Sequence, residues 1–116
     1  MSLQIEQAAA FREDFALRAL RYVREAGEEV ALRFQGAVDA TLRSLCSQPA
    51  MGRARNFHHP KLRGLRSFRV EKPFDRLVIF YRINGDVLQA ARLMHTAQDL
   101  PRRLLDPPGA GDVTAK

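Results

Sequence analysis

Leu77-Val78-Ile79-Phe80-Tyr81-Arg82-Ile83, then Asn84-Gly85-Asp86, then Val87-Leu88-Gln89-Ala90-Ala91-Arg92-Leu93-Met94-His95, is the stretch that decides the fold. Two runs rich in Val, Ile, Leu, Phe and Tyr flank an Asn-Gly pair. That is the strongest short-range signal for a β-hairpin, because a type I′ turn needs positive φ at both central positions. With Asn84 and Gly85 in the turn, Ile83 pairs with Asp86 and Arg76 with Leu93. Side chains alternate across the sheet. One face then carries Leu77, Ile79, Tyr81 and Ile83 with Leu88, Ala90, Arg92 and Met94, and is expected to pack on helices. The other carries Arg76, Val78, Phe80 and Arg82 with Val87, Gln89, Ala91, Leu93 and His95, and is expected to lie open. Arg76 and His95 become diagonal neighbours, about 7–8 Å apart at Cα.

Upstream, Phe68 and Val70 alternate with Ser67, Arg69 and Glu71, as a strand does. Residues 49–61 show neither the helical nor the strand period and read as a basic loop. Before them lie two helical stripes. Ala8, Phe11, Phe15, Ala19, Tyr22 and Ala26 fall three or four apart, with Ala16, Leu20 and Val23 widening the stripe. Gly27 punctuates the pattern as a helix C-terminal glycine would. Glu28 and Glu29 open a second helix, whose stripe is Val30/Ala31, Phe34, Val38, Thr41/Leu42 and Leu45, ending at Pro49. So short a break folds the two helices into an antiparallel hairpin. Leu3 to Gln7 alternates as a half-buried strand. Leu100 to Leu105 reads as one or two helical turns, and the patternless tail 106–116 as disordered. The expectation is an α+β fold in the order β-α-α-β-β-β. A helix hairpin packs on one face of a mainly antiparallel four-stranded sheet, forming a single domain over 1–105.

The 116 residues suit one domain with one ordinary core. No apolar run approaches the roughly 20 residues of a membrane span, and the N-terminus lacks the pattern of a signal peptide. The expectation is a cytoplasmic protein that does not engage membranes, and the single Cys46 fits a reducing compartment. The net charge of +6 is uneven. Residues 51–105 carry 12 Lys and Arg against 4 Asp and Glu, whereas residues 1–50 carry 6 Arg against 7 acids. Such a basic half attracts a polyanion or an acidic protein. Arg makes up 16 of the 19 basic residues and suits bidentate contact with phosphate or carboxylate.

Few residues carry a chemical signal. His58 and His59 are adjacent, with no Cys or acid nearby to complete a metal site, and read as solvated loop residues. Cys46 falls on the buried side of the second helix as an inert small hydrophobe. Tyr81 reads as core. No phosphate loop, nucleophile elbow or metal-ligand spacing is present, so neither metal nor cofactor is expected.

In combination and in order, several strings resemble the RelE/ParE superfamily of toxins. They are Tyr22-Val23, Ala31-Leu32-Arg33-Phe34 with Ala37-Val38 and Leu42, Pro49-Ala50-Met51-Gly52-Arg53, and Leu62-Arg63-Gly64-Leu65-Arg66 with Phe68-Arg69-Val70. Leu77-Val78-Ile79-Phe80-Tyr81-Arg82 with Asp86-Val87, and Arg92-Leu93-Met94-His95 with Asp99-Leu100-Pro101, complete the set. The resemblance implies a growth-inhibiting toxin of a type II toxin–antitoxin system, of the kind that stabilises plasmids. A cognate antitoxin with an acidic amphipathic C-terminal segment would neutralise it. It also implies one of two targets. The protein would block DNA gyrase or a related topoisomerase by contact, or it would cut mRNA on the ribosome as an endoribonuclease. His95 followed by Asp99 is more similar to the gyrase-directed, ParE-like side.

For an endoribonuclease, Arg76, Arg82 and His95 are the catalytic candidates. Cleavage needs a base for the 2′-hydroxyl, an acid for the leaving oxygen and a cation for the phosphorane. Under either target, Arg66, Arg69, Arg76, Arg82 and His95 are the candidate target- or nucleic-acid-binding residues. No Tyr or further His follows His95 to fill the third catalytic role. The alternative reading of His95 is a cap on the sheet, with Asp99 as its partner.

Overall fold

The computed structural model describes residues 2–96 and 100–109, with Leu100 described by its backbone alone. The elements are β1 (Gln4–Gln7), α1 (Ala9–Ala26), α2 (Glu28–Ser47), β2 (Arg53–Ala54), β3 (Arg66–Arg69), β4 (Leu77–Asn84), β5 (Val87–His95) and α3 (Leu100–Leu105). Short 3-10 turns occupy Pro49–Met51 and Pro60–Leu62. The strand order is β1-β5-β4-β3-β2, with β1 parallel to β5 and the other pairings antiparallel. The α+β class and the helix hairpin are as the sequence implies. The extra strand, β2, lies inside the basic loop. It is two residues long, too short to show a period, and extends through the Arg55 amide to the Leu65 carbonyl.

The helix hairpin turns at Gly27. Its φ of 97° lies where only glycine is comfortable, and its amide caps α1 by donating to the Tyr22 and Val23 carbonyls. Phe11, Phe15, Ala19 and Tyr22 on α1 and Phe34, Val38, Leu42 and Leu45 on α2 face the sheet. Four rings knit this layer together. Phe34 stacks on Phe15 at 5.1 Å between centroids and meets Tyr22 and Phe74 at 5.0 and 5.5 Å. Ala16, Leu20 and Val23 do not widen the buried stripe as expected; all three are exposed. The contact with α2 and β5 uses only the narrower face of α1.

The hairpin that decided the fold is present, but its register differs. Asn84 pairs with Val87, so Gly85 and Asp86 occupy the turn. Gly85 has φ of 63° and no non-glycine described has positive φ, which is the φ pattern of a type II′ turn. The physical reason is economy of strain: type II′ asks positive φ of the glycine alone, whereas type I′ would also force Asn84 there. This slides β5 by two residues and leaves the faces near the turn unchanged. A bulge then changes them. Tyr81 pairs with Ala90 but Phe80 pairs with Arg92, leaving Ala91 as the extra residue. Beyond it every side chain swaps faces. Leu93 joins the core under the helices, while Met94 turns to the opposite side. His95, paired with Leu77, therefore lies on the helix side and not on the face where Arg82 and Gln89 stand.

That opposite face is not open either. Val78, Phe80, Ala91 and Met94 form a second small core with Leu62 and Leu65 from the basic loop and Leu104 from α3. The expected open face is thus roofed by loop and helix.

Candidate functional site

Of the five nominated residues only Arg76 and His95 come together. Arg66 pairs with Tyr81 and donates to the Gly52 carbonyl at 3.2 Å. Arg69 donates to the Asp75 carbonyl at 2.8 Å. Arg82 donates through Nε to the Arg63 carbonyl at 2.8 Å and through Nη2 to the Lys61 carbonyl. All three guanidinium groups satisfy loop carbonyls, a structural duty. Arg76 is exposed, and its carbonyl accepts from the Thr96 amide at 2.8 Å, which places it beside the end of β5. Leu77, the partner of His95, and Tyr81, the partner of Arg66, are four residues apart on β4. That is roughly 13 Å at strand rise.

His95 has company that local patterns could not reveal. Burial and the nearby cations Arg18, Arg76 and Arg21 hold its imidazole below the ordinary histidine pKa. The route is traceable. The Asp14 carboxylate accepts from the Leu93 amide at 2.9 Å, so α1 runs along β5 and Arg18, one turn on, comes level with His95. Tyr22 meets the Phe74 ring at 5.5 Å, which closes the same corner. The proposed partner of His95, Asp99, lies outside the described residues, as does the tail from residue 110.

Arg92 carries the strongest ionic geometry. Its Nε and Nη2 meet the Asp14 carboxylate at 2.8 and 3.1 Å, with both side chains about nine-tenths buried. Nη1 donates to the carbonyls of Leu104 at 3.1 Å and Asp106 at 2.6 Å. One guanidinium therefore ties α1, β5 and the end of α3 together. Tyr81 does the same for the chain leaving α2. Its hydroxyl donates to the Pro49 carbonyl at 2.6 Å and accepts from the Gly52 amide at 3.0 Å. A Cβ on Gly52 would stand 2.1 Å from that hydroxyl, which explains the glycine in Pro49-Ala50-Met51-Gly52-Arg53. Burial pushes the Tyr81 phenol up in pKa, against its hydrogen bond from Gly52 and the nearby Arg66, so it is no poised nucleophile. Burial likewise raises the Cys46 thiol.

Two surfaces stand out among the described residues. On the helix hairpin, Leu17, Leu20 and Val23 form one exposed row at three-residue spacing, and Leu32 on α2 is 68% exposed. On the opposite side, a cleft of about 480 Å³ separates the basic loop from α3. Arg55 stands near it, its guanidinium carbon 5.1 Å from the Phe57 ring centre and 5.9 Å from that of Phe80, with Nη1 on the Ser67 hydroxyl at 3.1 Å. Burial and Arg53 lower the Arg55 pKa. Among the described residues, no group of three or more His, Cys, Asp or Glu could hold a metal ion, and no helix is long and apolar enough to cross a membrane.

The family model described as "ParE toxin of type II toxin-antitoxin system, parDE" matches residues 5–100. Among solved structures, a chain of the chromosomal ParDE toxin–antitoxin system from P. aeruginosa aligns with a TM-score of 0.65 at 19% identity, covering 81% of this chain and 96% of that one. A chain of the toxin–antitoxin complex RelBE2 from Mycobacterium tuberculosis aligns with a TM-score of 0.47 at 18% identity, covering 82% and 99%. No curated protein matches the sequence. The first alignment shows a shared fold.

Proposed function

The chain belongs to the ParE toxin family of type II toxin–antitoxin systems, and from that premise we propose that it acts by contact with DNA gyrase or a related topoisomerase, not by cutting RNA. The observation that carries this reading is the bulge at Ala91. It takes His95 to the helix side, away from Arg82, so of the three nominated catalytic residues only Arg76 stays near the imidazole. Arg66, Arg69 and Arg82 are engaged by backbone carbonyls. Burial and the nearby arginines disfavour the imidazolium form of His95, which is the form a general acid for the leaving oxygen needs. Induction without antitoxin should stop growth, with broken DNA and intact transcripts. Cut transcripts that vanish on His95→Ala would establish the ribonuclease instead.

A cognate antitoxin is the second part of the proposal. The exposed Leu17-Leu20-Val23 row, with Arg18 and Arg21 on the same helix, suits an acidic amphipathic segment. Affinity for such a partner should fall with rising salt, and a flat response would count against charge pairing.

A further inference from the structure

We propose that the cleft between the basic loop and α3 is a slot for unpaired bases of a single-stranded polynucleotide, whose phosphates the surrounding cations hold. The cleft lies across the sheet from the helix hairpin, and the inference stands whichever macromolecule is the toxin's target.

Three observations carry it. The first is the lining. Phe57, His58 and His59 line it from the loop, the His59 ring also accepting from the Lys61 amide at 3.1 Å, and Pro101, Arg102 and Leu105 line it from α3. Its volume, about 480 Å³, falls in the range of small-ligand sites, and its surface is largely apolar, as a π-face requires. The second is charge. No Asp or Glu occurs between Asp39 and Glu71, while residues 53–69 hold six Lys and Arg besides His58 and His59. Arg53, Lys61, Arg63 and Arg102 are exposed around this region. The loop wall thus carries no carboxylate, and Asp106, next to Leu105 at the other wall, is paired with Arg103 at 3.4 Å, so the loop side favours a polyanion. The third is preorganisation. The Phe57 ring is fixed by Arg55, whose guanidinium lies over it, and by the Phe80 ring at 6.3 Å. A stacking ring held in advance loses little freedom on binding.

An acidic amphipathic peptide would also answer to charge and apolarity, but it would not need rings. Aromatic and imidazole side chains interleaved with arginine are what base stacking with phosphate contact uses.

The test titrates the full chain into labelled oligothymidylate and oligouridylate of about ten nucleotides, a typical single-strand site size. An abasic strand of equal length and a Glu- and Leu-rich peptide are run beside them. Either base-bearing strand should bind at least tenfold more tightly than the abasic one, and the pair of arms tells DNA from RNA. Phe57→Leu keeps apolar volume but removes the ring, and should weaken the base-bearing strand about tenfold while leaving the abasic strand unchanged. Arg102→Gln should reduce the salt slope by about one phosphate. Thermal unfolding of both variants checks that they are folded. Equal binding of abasic and base-bearing strands overturns the proposal. So does a folded Phe57→Leu variant with full oligonucleotide affinity, or a peptide that binds where neither strand does.

Discussion

The two faces of the sheet are built differently. Under the helix hairpin, rings and aliphatic side chains fill the space, with Phe34 at the centre of the cluster. On the other face the core is small, and its roof is held to the sheet by arginines that donate to loop and helix carbonyls: Arg82 to residues 61 and 63, and Arg92 to residues 104 and 106. The first face is held by area removed from water, which is non-directional and tolerant. The second is held by directed bonds, each made by a single residue. Substitutions should therefore cost volume on one side and specific connections on the other.

Phe34→Ala should give the largest effect. It removes a fully buried ring touching three others, at a cost of about 3–5 kcal/mol, and a domain of this size has little more to lose. Chemical denaturation checks it. A loss below about 1 kcal/mol would mean the ring cluster is not the centre of the first core.

Asp14→Ala tests the directed side. It leaves the Arg92 guanidinium buried without its carboxylate and the Leu93 amide at the bulge without its acceptor. Breaking a buried pair from one side costs about 3–5 kcal/mol, and the carbonyls still facing Arg92 put the expected loss at the low end. Hydrogen exchange adds a sharper reading: protection should fall first in α3 and the end of β5. Uniform loss would mean the second core has no separate fastening.

Gly52→Ala should cost about 1–3 kcal/mol, because the new methyl meets the Tyr81 hydroxyl and the phenol is fully buried. Pairing it with Tyr81→Phe sharpens the result. The phenylalanine removes the clash but strands the Pro49 carbonyl, so the double variant should lose less than the sum of the singles. Strict additivity would place the glycine's role elsewhere.

The same contrast explains what was legible in the sequence. Helical stripes at Phe11, Phe15 and Phe34 and the Asn84-Gly85 signal depend on local period and turn chemistry, and they located the hairpins. The bulge at Ala91 carries no glycine or proline to announce it. Its support comes from Asp14, 77 positions earlier, so the faces beyond it were misassigned and His95 with them. Likewise the roof over Phe80 is held by side-chain-to-carbonyl bonds, which leave no period. Arg66, Arg69 and Arg82 read as functional cations for that reason. The cations that do approach His95 from the helix, Arg18 and Arg21, were hidden in an unremarkable charged stretch of α1.

The smallest expected effect lies at that corner. Because burial and the three arginines hold the His95 pKa below its unfolded value near 6.5, the folded state binds fewer protons than the unfolded one as pH falls. Stability should thus be undiminished by this group above about pH 6.5. It should decline as pH falls from there through the folded pKa, and change no further from this source below it. The melting temperature followed from pH 8 to pH 5 should show that decline in the wild type and a shallower one in His95→Gln. If the His95→Gln profile instead runs parallel to the wild type throughout, the arginines of α1 do not act on the imidazole, and the corner where the two faces meet is electrostatically inert.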